Sequence, residues 1–191
     1  WKKNNFGFLE YTSIVKAKNI PMLEDEQVWE IVELNGWMLF KSLRRIYLYN
    51  LKTESLKIIN TTKEITKLSK VENTIYFQEI EKGVFMIENG TSKLISDHAI
   101  LKENRIINFF LINDRLMFLT QKKGFYFLKD NQLKKWEIPS NGFLSTKTIY
   151  SAKQLQNGGI ILGSISNGFI NLSNKGELVY QITQGLGLSN N

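Results

Sequence analysis

The sequence predicts an all-β chain of about four antiparallel four-stranded repeats, and three observations predict it. Apolar runs end at the turn signals Asn35-Gly36, Asn73-Thr74, Asn113-Asp114 and Asn157-Gly158, whose asparagines stand 38, 40 and 44 residues apart. Asn and Gly tolerate the positive φ of a tight hairpin. A second marker, the glycine opening the third strand at Gly83, Gly124 and Gly168, steps by 41 and 44 residues. Finally, the first three strands of each unit are nearly continuous apolar runs, while the fourth alternates. That contrast fits sheets packed on both faces with one exposed outer edge. A fixed period of roughly 40–50 residues with four strands per unit is the signature of a β-propeller. The expected fold is therefore a partial propeller of about four blades with a leading half-blade. A β-sandwich with similar hairpins would need no fixed period.

Residues 1–20 read as the end of a preceding blade, with FGFLEYTSI as its third and fourth strands and Gly7 at the strand-opening position. The first full blade spans 28–62, with inner strand VWEIVEL, then WMLF, RIYLY and SLKII. In the second, 65–97, the corresponding later strands are TIYF, GVFMI and TSKLI. The third, 105–140, carries RLMFL, GFYFL and QLKKWEI, and the fourth, 148–184, carries GIILG, GFINL and ELVYQI. Residues 185–191 read as a link into another blade. Lys57, Lys93 and Lys134 sit on the outer strands, where charge discourages edge-to-edge pairing. The strand-opening glycines are expected to permit close backbone approach near a crowded axis. Helix is poorly supported: 24–26 could nucleate one turn and 61–70 resembles a helix, but neither sustains a 3.6-residue period.

Both ends look interrupted, because the N-terminus lacks Met and an apolar leader and reads as mid-strand. An open arc of blades exposes sheet edges and apolar faces, so the remaining blades of a longer chain, or a second copy in a dimer, are expected to cover them.

Composition narrows the function classes. The chain has no cysteine, which excludes a disulfide scaffold and thiolate chemistry and leaves the redox compartment open. No window reaches the length of apolar sequence a membrane helix needs. The net charge of +7 comes from scattered lysines and arginines, with no block longer than a pair. Nucleic-acid binding calls for a stripe or cluster, so none is expected here.

Single candidates for chemistry are few. His98 is the one histidine, reads as a surface loop residue, and lacks the companions a metal site requires. Glu24, Asp25 and Glu26 could suggest acid/base carboxylates, but glycoside cleavage needs two carboxyls set across the substrate. Trp29 and Trp37 are expected to pack between blades, and Trp136 to cap a blade edge. No cofactor is implied. The N-x-S/T sequons at Asn60, Asn89 and Asn171 matter only in a glycosylating host.

Specific strings in the last repeat carry a family resemblance. Residues 159–163, Asn167-Gly168-Phe169, Gly176-Glu177-Leu178, and Gly185 with Leu188-Ser189-Asn190-Asn191 resemble the two-component regulator propeller repeat. Residues 25–50, DEQVWEIVELNGWMLFKSLRRIYLYN, are similar to a block of large Bacteroidetes sensor proteins. Those carry an N-terminal propeller, a triple-tyrosine domain, a membrane helix and a helix-turn-helix or histidine-kinase output. The resemblance runs through the chain and is strongest in the last repeat and around Trp29. It is degenerate in the second and third repeats, where Tyr76-Phe77 and Met117-Phe118 replace a tryptophan-containing strand. It implies a periplasmic sensor segment, its parent anchored in the inner membrane, that binds a ligand and alters transcription. In some relatives that ligand is a polysaccharide breakdown product.

Topology suggests where a ligand would sit. The links between second and third strands lie on one face, together with the links between blades. They hold Lys41 and Arg44, Glu79 and Glu81, Lys122 and Lys123, and Ser166 and Asn167. This mixed, net basic ring suits a small anionic or polyhydroxylated ligand such as an oligosaccharide. Arg44, Lys123 and Asn167 are the leading candidates, with Lys41 and Ser166 beside them. The same residues would equally serve only to solvate loop ends. A ligand-binding sensor segment without catalysis is thus the first reading, a protein-interaction scaffold the second, and a carbohydrate-active enzyme the weakest.

Overall fold

The computed structural model describes residues 2–23, 26–130, 132–183 and 185. It is all-β, with four four-stranded antiparallel sheets. The first sheet runs β3 (Glu30–Leu34), β4 (Trp37–Lys41), β5 (Arg45–Asn50) and β6 (Leu56–Asn60). The second comprises β7 (Ile65–Val71), β8 (Thr74–Glu79), β9 (Gly83–Glu88) and β10 (Thr91–Ser96). β11 (Ile106–Ile112), β12 (Arg115–Thr120), β13 (Gly124–Lys129) and β14 (Gln132–Lys135) form the third. β15 (Ile149–Gln154), β16 (Ile160–Ser164), β17 (Phe169–Leu172) and β18 (Leu178–Ile182) form the fourth. Within each sheet the strands pair in sequence order, as a blade requires.

The first strand of every sheet lies innermost, and side chains stitch these strands to one another. Glu30 on β3 accepts from the Leu68 amide of β7 at 2.7 Å. The Ser69 hydroxyl on β7 donates to Asn108 on β11 at 3.0 Å, and Asn108 donates to the Ala152 carbonyl of β15, also at 3.0 Å. Gln154 returns a bond to the Leu111 carbonyl at 3.2 Å.

Between the sheets lie three apolar layers, and strand periodicity builds them. On β8, Ile75 and Phe77 face the first sheet while Tyr76 faces the third. On β12, Met117 and Leu119 face the fourth sheet while Phe118 faces the second. A strand buried on both faces must be apolar at every position, which is why these segments read as continuous runs.

The hairpin turns use the residues they need. Asn35 and Gly36 both have positive φ, as do Asn113 with Asp114 and Asn89 with Gly90. In the second blade the left-handed residue is Glu72, one position before the expected Asn73, because Val71 pairs with Thr74. The fourth blade has a longer link between β15 and β16, with Gly158 at φ 81°. Asn131, expected from the sequence in the third blade's second turn, and Leu188 to Asn191 lie outside the described residues.

The N-terminal segment and the links between blades depart from the sequence expectation. β1 (Lys2–Lys3) and β2 (Leu9–Glu10) pair as a short hairpin, and Gly7, at φ 84°, lies in its turn rather than opening a strand. Asn4 closes that turn by accepting from the Phe6 and Phe8 amides. Three short helices were not anticipated: α1 (Ile14–Ala17), α2 (Ala99–Glu103) and α3 (Asn141–Leu144). At four or five residues they are too short to show a helical period. The last two lie in links between blades, where each buries a leucine, Leu101 or Leu144. The strand-opening glycines do not crowd the axis. At Gly83 the crowding comes from the Ser96 carbonyl of the outer strand in the same blade, not from the axis. At Gly124 a Cβ would make only ordinary van der Waals contact, 3.8 Å from the Asn141 Oδ1, so glycine is needed there for its φ of 83°.

Candidate functional site at the axial rim

The face that carries both the β4–β5-type turns and the links between blades holds a cavity of about 450 Å3 beside the axis. Its wall comes from the starts of the inner strands of the first three blades and the ends of the second strands of the first and third, plus Tyr150 of the fourth. Backbone bonds fix the rim. The Ile65 amide donates to the Leu43 carbonyl at 2.7 Å, joining the first turn to the second blade. The Ile149 amide donates to the Gln121 carbonyl at 3.0 Å, joining the third turn to the fourth blade.

Five charged side chains line this cavity: Glu30, Lys41, Glu64, Lys67 and Arg105. Four are paired. The Lys67 Nζ lies 2.5 Å from Glu30 Oε1. Arg105 donates through both terminal nitrogens to the two oxygens of Glu64, at 2.9 and 2.6 Å, bridging the second and third blades. Lys41 is the fifth. Among the described residues its ammonium has no hydrogen bond and no carboxylate within ion-pair distance, yet the residue is only 5% exposed. Register explains the burial: Lys41 pairs with Ile46 and Ile46 with Ile59, so the lysine stem lies on the apolar face toward the second blade. Burial pulls the Lys41 ammonium below its ordinary value, opposed by the charges of Glu30 and Glu64 and aided by those of Lys67 and Arg105.

Two aromatic side chains stand on the same wall. Trp29 is 60% exposed and precedes β3, so within this chain it does not pack between blades. Its amide donates to the Lys41 carbonyl at 2.8 Å, extending the β3–β4 ladder by one residue and leaving its ring outside the core. Tyr150 is 73% exposed. Trp37, in contrast, does pack against the layer between the first two sheets. Trp136 lies edge-on to Phe125, centroids 5.5 Å apart.

Of the residues expected to bind ligand, the cavity gathers Lys41 alone. Arg44 and Lys123 are exposed in their turns, Ser166 likewise, and Asn167 is half-buried. None of these four lines the cavity. Backbone demands position them: the Arg44 carbonyl accepts from the Thr61 amide, and the Lys123 and Asn167 amides donate to Thr120 and Ser164. Sequence reasoning missed Glu30, Glu64, Lys67 and Arg105. Their available signal was position: each lies in or just before an inner strand.

A second polar cluster anchors the segment that precedes the first blade. The buried Glu26 carboxylate accepts from Ser42 and Tyr47 hydroxyls at 2.8 Å, from the Leu23 amide at 3.1 Å and from Arg45 at 3.3 Å. Burial works to raise its carboxyl, but these donors outweigh it and hold the group below its ordinary value. Glu26 is therefore a structural tether, and Glu24 and Asp25 lie outside the described residues. His98 is exposed and caps α2, its Nδ1 accepting from the Ile100 amide at 3.3 Å. Among the described residues no group of three His, Cys, Asp or Glu side chains could hold a metal ion, and no helix is long and apolar enough to cross a membrane.

Stitched inner strands, shared apolar layers and meandering sheets define an arc of a β-propeller. Solved structures share this fold. One is an extracellular domain from B. thetaiotaomicron described as part of a hybrid two-component system, at TM-score 0.57 and 18% identity over 80% of this chain and 21% of that one. A second such domain from B. thetaiotaomicron matches at TM-score 0.59 and 16% identity, over 85% of this chain and 23% of its own. An enzyme has the same architecture: dihydro-haem d1 dehydrogenase NirN, at TM-score 0.61 and 9% identity over 82% of this chain and 36% of that one. The chain thus spans about a fifth of the length of the two-component domains it matches. No protein-family model matches the sequence, and no curated protein matches it.

Proposed function

We propose that this chain is a ligand-binding segment of an extracytoplasmic sensor in a two-component-type transcriptional regulator, and that it does no catalysis. The observation that carries the reading is the rim cavity. It is concave, lined by fixed charges and two exposed aromatic rings, and placed where turns from successive blades converge. The likeness to extracellular domains of two-component systems supports the sensor role and a periplasmic setting. Remaining blades of a longer chain, or a second copy, cover the outer face of the fourth sheet, where Val179 and Tyr180 are exposed.

A thermal-shift screen against oligosaccharides and small anions tests the reading, since a ligand selective for the folded state raises the melting temperature. At least one compound is expected to stabilise the protein, and Trp29→Ala is expected to remove that effect. A screen without a stabilising compound, or a stabiliser indifferent to Trp29, favours the scaffold reading instead.

A further inference from the structure

Resting on the reading of the rim as a ligand site, we propose that Lys41 is its anion-recognition point, for a ligand whose carboxylate is carried on a ring that stacks on Trp29 or Tyr150. The charge count points there. Three cations and two carboxylates line the cavity, and both carboxylates are engaged by Lys67 and Arg105. One positive charge is left over, and it is the most buried of the five.

Lys41 is buried as a residue, yet among the described residues no buried side-chain nitrogen or oxygen lacks a partner, so its ammonium opens onto the cavity and keeps only part of its hydration, with no counter-charge of its own. The stem of Lys41 is held against the apolar layer, so its ammonium is presented to the cavity without further ordering. An incoming carboxylate supplies the missing counter-charge and accepts a charge-assisted hydrogen bond. A single negative charge matches the single surplus, while Glu30 and Glu64 disfavour a more highly charged ligand. The exposed Trp29 and Tyr150 rings supply apolar faces for the body of the molecule. An aromatic carboxylate and a sugar acid share this chemistry.

Benzoate and glucuronate serve as probes, with benzyl alcohol and glucose as their neutral counterparts. Binding is followed by calorimetry on the intact chain at low salt and neutral pH. At least one acid is expected to bind tighter than its neutral counterpart by about tenfold or more, the scale of a charge-assisted bond. The tighter acid distinguishes an aromatic from a sugar ligand. Lys41→Met is expected to erase the preference with its melting temperature equal to or above that of the unsubstituted protein, and Lys41→Arg to retain it. The assignment is overturned if neither acid binds at concentrations up to about 10 mM, or if the preference survives Lys41→Met. A neutral saccharide that depends on Trp29 but ignores Lys41 overturns the anion assignment alone. Ligands indifferent to both side chains overturn the rim reading as well.

Discussion

Replacing Gln78 by Met should remove a large share of the protein's stability with little change of shape. Gln78 is fully buried on β8 and uses its whole amide. Its nitrogen donates to the Leu101 carbonyl at 2.6 Å and the Asn104 carbonyl at 2.8 Å. Its oxygen accepts from the Ile106 amide at 2.6 Å and from the Thr66 hydroxyl. The substitution orphans three backbone groups, including a buried N–H at the start of an inner strand. Each orphan costs about 1–3 kcal/mol, and the more apolar side chain returns part of that, leaving a net loss of about 4 kcal/mol. Urea unfolding measures it: with a slope of about 2 kcal/mol/M, the midpoint should fall by about 2 M. A loss below about 1 kcal/mol would show that water or relaxation satisfies those groups and that α2 is not riveted through Gln78.

Two glycines at equivalent positions should respond differently. A Cβ on Gly83 would stand 2.2 Å from the Ser96 carbonyl oxygen, so Gly83→Ala should cost about 3 kcal/mol; Gly124→Ala meets only a backbone penalty of about 1 kcal/mol. Equal losses in thermal unfolding would refute the close-approach argument. Glu26 carries a pH dependence. Its folded carboxyl releases its proton more readily than the ordinary value of 4.5, so its stabilisation is complete above that value and is lost as pH falls through the lower folded one. Glu26→Gln should therefore flatten the acid limb of melting temperature against pH, and an unchanged limb would assign acid unfolding to other carboxyls. A double-mutant cycle on Arg105 and Glu64, both partly exposed, should yield no more than about 1 kcal/mol, shrinking as salt is added.

The blades were legible because burial on both faces imposes an unusual sequence pattern. After the opening Thr74 and Arg115, the segments IYF and LMFL have no polar position to spare, and each hairpin needs residues tolerant of positive φ. What the pattern did not carry was depth. Lys41 and Arg44 look alike in sequence, three residues apart, but one ends β4 against the next blade and the other protrudes from the turn. Trp29 and Trp37 differ for the same reason: Trp37 opens β4, whereas Trp29 precedes β3 and joins the ladder only through its amide. Pairing of Glu64 with Arg105 joins residues 41 positions apart, one repeat on, and only the closed geometry of neighbouring blades brings them together.

The bonds that join the first blade to the second and the third to the fourth at the rim are made by main-chain atoms, Ile65 to Leu43 and Ile149 to Gln121. Such bonds do not depend on which side chains occupy those positions. Rim side chains can therefore change without loosening the joint between blades. Resemblance in such a protein fades from the sequence long before it fades from the backbone. Here the architecture is shared at 9 to 18% identity, and no family model matches the sequence.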